Sequence, residues 1–478
     1  MDAPATINFF KGHPSSRLLP RKEIIEATAE LLSPEERPYD SDTNNRHPLT
    51  YGSDSGAYWV RNEITELNKK VYGIDHAKPE YLNLTSGASY GILNILLQTT
   101  LPHVGYTKQA FIVTPTYFLI NDCFIDAGFA GKMTAIDEMD PTSEQFDGYD
   151  LNINLLLDKI HELEGSVHGN SNEDEIEKNE GTCTQQLLND SKAKLPRSLE
   201  CIRRPNANSM KKIYKYVLYC VPSFANPSGK SYSLKTKRKL IDLACLYDIL
   251  IITDDVYEFL NYKVNPATSV IPKRFVDIER EMWRDLPDGC DLEGMYGHVV
   301  SNATFSKIIA PGLRVGYNET ISSKLVTQLS KGGANVSGGT PSQLNSMIVG
   351  TMLRNGSAMR ILQNLRDTYK HRSEVLYESI KQWLPKDTIA PLQEGGYFSW
   401  VTLPEGYDAK EVGERLECEY GVILANGSNF EVANDERNWG ARSVRLSISF
   451  MEPTDIKIGI QQWGEVCKKY AKEFSLPF

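Results

Sequence analysis

Short, largely apolar runs separated by amphipathic stretches fill the middle of the chain. Between about Gly52 and Gln343 they fall at Ala110–Thr114, Tyr216–Val221, Ile249–Thr253, Val299–Ala303 and Leu313–Tyr317. Such runs, bounded by helical segments, predict strands buried on both faces and hence a mostly parallel sheet. Thr236–Asp248 carries Leu240, Leu243, Ala244 and Tyr247 at helical spacing, as a helix covering that sheet would. Further on, Leu353, Leu362, Leu365 and Tyr369 mark one long helix. Strands are then expected at Tyr397–Leu403, Val422–Ala425 and Ser443–Phe450, and helices at Ala409–Glu419 and Thr454–Phe474. The last helix has Ile456, Ile460, Trp463 and Val466 on one face. The pattern reads as an α/β fold. Residues 52–343 form a large domain, and residues 1–51 and 344–478 a smaller α+β domain.

Two stretches break the pattern. From about 162 to 208 the chain is rich in Ser, Asn and Lys, and no aromatic occurs between Tyr149 and Tyr214. Too little apolar surface is available there to offset ordering, so this reads as a disordered insertion. A second insertion, 262–296, holds Phe275 and Trp283 and is expected to pack.

Composition narrows the class. The 478 residues, 41% hydrophobic and 24% charged, suit a soluble globular protein large enough for two domains. A net charge of −10 argues against nucleic acid as a partner. No apolar run reaches the roughly 18 residues of a membrane span. The eight cysteines show no Cys-x-x-Cys pair, which fits free thiols of a reducing compartment and no metal site. With no basic residue before Lys11, a leader peptide is not expected, and the cytoplasm is the default.

Four clusters carry candidate chemistry, each at a strand end. Thr85-Ser86-Gly87-Ala88-Ser89-Tyr90-Gly91 opens an apolar helix, whose free N–H groups and dipole attract phosphate. Pro222-Ser223-Phe224-Ala225-Asn226-Pro227 follows a strand, where ligands of open α/β sheets bind. Ile249–Thr253 ends on Asp254-Asp255, with Tyr257 three residues after the first carboxylate. A carboxylate there can be a helix cap, or it can keep a pyridine nitrogen protonated. Lastly, Thr304-Phe305-Ser306-Lys307-Ile308-Ile309-Ala310-Pro311-Gly312-Leu313-Arg314 joins an amine to hydroxyls and a guanidinium. That set suits a Schiff-base cofactor with a phosphate tail.

In order and residue type the four clusters resemble the fold-type I, class I/II aminotransferases dependent on pyridoxal 5'-phosphate (PLP). The Ser-Lys-Ile-Ile-Ala-Pro-Gly-Leu-Arg wording is similar to that of the kynurenine/2-aminoadipate group. The resemblance runs from Ile7 to the C-terminus apart from the insertions. It implies a seven-stranded type of sheet in the large domain and, among the residues, Lys307 as the Schiff-base lysine. It further implies phosphate contacts from Gly87, Ala88, Ser89, Thr304, Ser306 and Arg314, and Tyr117 stacked on the pyridine ring. Asn226 and Tyr257 would bond the ring oxygen and Asp254 the ring nitrogen. Arg445 would grip the substrate α-carboxylate, with Asn226 beside it, while Gly12 lines the substrate pocket. Tyr51 would reach the phosphate of a neighbouring subunit, which implies a homodimer with shared sites.

Ser223, Thr304 and Asn426-Gly427 depart from the family's usual asparagine, serine and Pro-Gly, but none removes a charge or the amine. The expected reaction moves an amino group from an L-amino acid, with 2-aminoadipate or aromatic side chains favoured, to a 2-oxo acid such as 2-oxoglutarate. Lys307 would shuttle the Cα proton. A β-lyase on the same fold is an alternative, since the fate of the carbanion depends on loops and leaving group. A non-catalytic amino-acid sensor is a more remote one.

Overall fold

The computed structural model describes residues 6–33, 39, 41–165, 211–263, 271–285 and 291–478. Its strands are β1 (Ile7–Asn8), β2 (Leu82–Thr85), β3 (Gln109–Thr114), β4 (Met133–Asp137), β5 (Tyr216–Cys220) and β6 (Ile249–Asp255). They continue with β7 (Val299–Thr304), β8 (Gly316–Glu319), β9 (Phe398–Thr402), β10 (Val422–Ile423), β11 (Ala425–Asn426) and β12 (Ser443–Ser447).

Seven strands make the central sheet, in the order β2-β8-β7-β6-β5-β3-β4. Only β8 runs against its neighbours. The expectation of an α/β protein with a mostly parallel sheet holds. Strands β5 and β6 are buried at every position, which is why they read as continuous apolar runs and not as alternation. Helix Leu234–Tyr247 covers them. It is capped by Ser233, whose hydroxyl accepts from the Thr236 N–H, and it stops where Asp248 turns left-handed (φ 55°).

Smaller sheets flank this core. β11, β12 and β9 form an antiparallel trio, and β1 pairs parallel with β10. Helix Pro453–Phe474 packs along Ser357–Trp383 and buries Trp463 completely. No helix among the described residues is long and apolar enough to cross a membrane.

Several expected boundaries are corrected. The strand expected at Leu313–Tyr317 begins only at Gly316, because Pro311–Leu313 form a tight turn and Arg314 is left-handed (φ 52°). The single long helix is two, Gln343–Arg354 and Ser357–Trp383, broken where Gly356 adopts φ 75°. Val422–Ala425 splits into β10 and β11, and β12 ends at Ser447, short of Phe450. β2 and β4 escaped the pattern because buried Asn83 interrupts one, and the other, at the sheet edge, buries only Met133 and Ile136.

Helix Ile153–Glu164 runs into the first supposed insertion. There Glu164 pairs with Lys215 (2.6 Å); positions 166–208 of that insertion lie outside the described residues. In the second, Phe275 and Trp283 are buried as expected, while positions 264–270 and 286–290 lie outside the described residues. Arg274, Asp277, Arg280 and Glu319 form a fully buried ion network that docks it on β8 (Arg274–Glu319 2.8 Å).

Candidate active site

Parallel strands ending side by side leave a crevice beyond their carboxyl ends, and a cavity of about 460 Å³ lies there. Strand alternation decides which of the two adjacent carboxylates enters it. Asp254 lines the cavity; Asp255 points to the other face of β6, where its carboxylate accepts from Thr253 (2.8 Å) and Ser301. Asp254 Oδ2 accepts from the Tyr219 hydroxyl (2.9 Å) and Oδ1 from the Asn302 amide (3.0 Å). Burial pushes its pKa up to about 6, against the pull of those two hydrogen bonds.

Lys307 follows β7. Its carbonyl is held by the Tyr397 hydroxyl (2.9 Å), and Nζ donates to the Gly12 carbonyl (3.3 Å). Gly12 is needed there, since a Cβ would strike the Phe398 ring. Burial lowers the Lys307 pKa to about 8; Asp254 opposes the shift and the Arg445 and Arg314 cations add to it. Tyr117, raised to about 12 by burial, lines the cavity together with Tyr257 and Asn226.

At one end Ala88 and Ser89 begin the helix Ala88–Thr99, whose first N–H groups have no side-chain cap. Arg314 lies against its N-terminus, donating to the Ser86 carbonyl (3.3 Å). A Cβ on Gly87 would collide with that guanidinium, so Gly87 (φ 85°) stands behind Arg314 and not in the cavity wall. The hydroxyls of Thr304 and Ser306, 2.9 Å apart, complete this end. Arg445, 3% exposed, is at the other. It donates to Asn226 Oδ1 (3.0 Å) and the Phe10 carbonyl (2.7 Å), lies 4.2 Å from the Phe398 ring, and leaves Nε unpartnered. Burial takes its pKa down to about 10, still protonated at neutral pH.

The cavity therefore gathers Gly12, Ala88, Ser89, Tyr117, Asn226, Asp254, Tyr257, Thr304, Ser306, Lys307, Arg314 and Arg445. Tyr51 is not among them and is 74% exposed. Sequence reasoning missed Tyr219 and Asn302, which hold Asp254, and Lys11 and His13, which line the cavity beside Gly12. Nothing in local spacing marks Asn302; it is found only through its pairing opposite Asp254 across β6 and β7.

Residues 176–462 match the family model for aminotransferase class I and II. An uncharacterized protein of Saccharomyces cerevisiae is 53% identical over 474 residues, 97% of each chain. The chain belongs to the class I and II aminotransferases. It is a PLP-dependent transaminase. The 2-aminoadipate transaminase of Thermus thermophilus is 28% identical over 254 residues, 52% of this chain and 57% of that enzyme. The multiple substrate aminotransferase of Thermococcus profundus shares the fold, with TM-score 0.69 and 22% identity, over 99% of this chain and 93% of that one.

The cavity fits PLP on its own chemistry. An uncapped helix N-terminus, an arginine and two hydroxyls suit a phosphate dianion. A buried carboxylate suits a pyridinium, and an amine of lowered pKa suits an aldehyde. Among the described residues no cluster could hold a metal ion.

Proposed function

We propose that this transaminase takes long acidic or aromatic L-amino acids, 2-aminoadipate foremost, and passes the amino group to a 2-oxo acid such as 2-oxoglutarate. The observation that carries the reading is the composition of the substrate end. Arg445, whose Nε has no partner, offers a buried guanidinium for an α-carboxylate, the collar of Phe10, Phe118 and Phe398 is apolar, and Lys11 adds a second cation. An apolar pocket alone discriminates by only about 1–3 kcal/mol per methylene, so breadth among long side chains is expected. The similarity to a 2-aminoadipate transaminase points the same way.

When bound, PLP supplies an aldehyde that takes up the amino group and a ring that accepts the electrons of the Cα–H bond. In our reading Lys307 is the amine that would hold that aldehyde, and its lowered pKa would let it take and return the substrate Cα proton as base and then acid. Asp254 would keep the ring nitrogen protonated, Asn226 and Tyr257 would hydrogen-bond the ring oxygen, and Tyr117 would pack on the ring. Arg314, Thr304, Ser306, Ser89 and the Ala88 N–H would hold the phosphate. Arg445 would fix the substrate carboxylate and so orient the Cα–H bond. Exposed Tyr51 has a role only if it reaches a second copy's phosphate, so we infer a homodimer with shared sites. We also read residues 52–343 as a cofactor-binding domain, with 1–51 and 344–478 as a smaller one.

The test is a screen of the twenty amino acids, 2-aminoadipate and kynurenine with 2-oxoglutarate, using Lys307→Ala as the blank. Activity on 2-aminoadipate and aromatic substrates is expected. Lys11→Met should lower kcat/KM for 2-aminoadipate about two- to fivefold and leave phenylalanine unchanged, as for loss of one exposed charge pair. Exclusive use of alanine or aspartate overturns the pocket assignment.

A further inference from the structure

Asp254 is the first of four polar residues that stand in one row across the sheet. The register pairs Asp254 on β6 with Asn302 on β7, Asn302 with Asn318 on β8, and Asn318 with Asn83 on β2. All three asparagines are fully buried. Positions like these in a sheet covered on both faces ordinarily hold aliphatic side chains. The row is also directional. Asn318 Nδ2 donates to Asn302 Oδ1 (2.9 Å), and Asn302 Nδ2 donates to Asp254 Oδ1 (3.0 Å).

The orientation of Asn302 is fixed by its neighbours. Its second amide hydrogen goes to the Ala88 carbonyl (3.2 Å), so a flipped amide would set its oxygen against a carboxylate and a carbonyl at once. Helix Ala88–Thr99 lies flush on this amide. A Cβ on Gly91 would run into Asn302 Oδ1, so glycine there allows the contact. At the outer end both amide atoms of Asn83 and Oδ1 of Asn318 lack partners. Buried amides left incomplete oppose folding. The row makes physical sense through what it does at its inner end.

We propose that Asn318 and Asn302 form a polarised relay that holds the Asp254 carboxylate ionised and aimed at the cofactor's ring nitrogen. Through Ala88 the relay also locks this ring end to the phosphate end of the site. Each amide in such a chain polarises the next, which strengthens the final bond to the anion. Asn302 and Asn318 are positioning residues, since they act through Asp254. The titratable groups acting on that carboxylate are Tyr219 from β5, Tyr257 after β6, Lys307 beyond β7, and Tyr117 and Cys123 beyond β3, with Asp255 and Cys220 acting from the other face of the sheet. Of these only Tyr219 also donates a hydrogen bond to it, at Oδ2.

The inference rests on the assignment of Lys307 and Asp254 above, and its test separates the two. In the PLP-loaded enzyme the pH titration of the cofactor's visible band reports the proton on its linkage to Lys307. A ring nitrogen kept protonated by an ionised carboxylate makes that linkage easier to deprotonate. Asn302→Leu, of similar volume, should therefore move the midpoint up by about one pH unit or more. It should also weaken PLP rebinding to apoprotein about tenfold or more, as for loss of one hydrogen bond to a charged group. Asn318→Leu leaves the Asp254 contact in place and should shift both in the same direction by less. A merely structural role would lower Tm without moving the midpoint. If Asn302→Leu does not fold, Asn318→Leu carries the test. Wild-type midpoint and PLP affinity in the folded variants overturn the relay. A wild-type protein lacking a visible band that Lys307→Ala abolishes overturns the site assignment, and the relay with it.

Discussion

The amine of Lys307 should react as a neutral nucleophile at physiological pH. Burial, the main cause, lowers its pKa from 10.5 to about 8. At pH 7 an amine of pKa 8 is about one-tenth unprotonated, against about one part in 3,000 at pKa 10.5. The reactive fraction is thus roughly 300-fold larger than for an exposed lysine. Reductive methylation of the apoprotein by formaldehyde and cyanoborohydride, with mass-spectrometric counting at each lysine, measures this directly. Formaldehyde is neutral, so the pH dependence belongs to the amine. Labelling of Lys307 should level off above pH about 8, while exposed lysines keep gaining about tenfold per pH unit towards pH 10. The sign can be checked with Asp254→Asn. Removing the anion that raises the Lys307 pKa should move the plateau to lower pH. A Lys307 rate that still climbs tenfold per unit between about pH 8 and 10 would refute the reasoning.

Three other outcomes are expected. Asp254→Ala should cut turnover by at least about 10²-fold and Asp255→Ala far less, because only the first carboxylate lines the cavity; equal losses in steady-state kinetics would count against the ring-nitrogen assignment. Mixing inactive Tyr51→Phe/Arg445→Ala and Lys307→Ala proteins after subunit exchange should not regain more activity than mixing Tyr51→Ala with Lys307→Ala, and only the second pair should recover a measurable share; no rescue there despite proven exchange argues against shared sites. Trp463→Ala, emptying a fully buried position between two long helices, should reduce stability by about 3–5 kcal/mol in urea titration, and a loss under about 1 kcal/mol would mean that helix Pro453–Phe474 adds little to the fold.

Much of this architecture was legible locally. Strands β3, β5 and β6 declare themselves because burial on both faces favours continuous apolar runs, and Ile249–Asp255 is buried at every position. The chemistry of the four clusters was legible too, since it lies within a few residues of each strand end. The clusters that hold Asp254, Lys307 and Arg314 could be marked from local order, their roles followed from the family resemblance, and the cavity brings the three together. The break at Gly356 was not, because Leu353, Leu362, Leu365 and Tyr369 read as one helical run, while the left-handed glycine between them ends one helix and starts the next.

The tertiary structure decided what depends on neighbours distant in sequence. Which of Asp254 and Asp255 enters the cavity follows from the face each presents once β5 and β7 have docked on either side. The partners of that carboxylate, Tyr219 and Asn302, come from those flanking strands, 35 and 48 residues away. Lys11 and His13 reach the substrate end because β1 pairs with β10 at the far end of the chain. Residue types and local order come from apolar periodicity and turn chemistry, which act over a few positions. Side-chain partnership comes from sheet register and packing, which no short stretch of sequence contains.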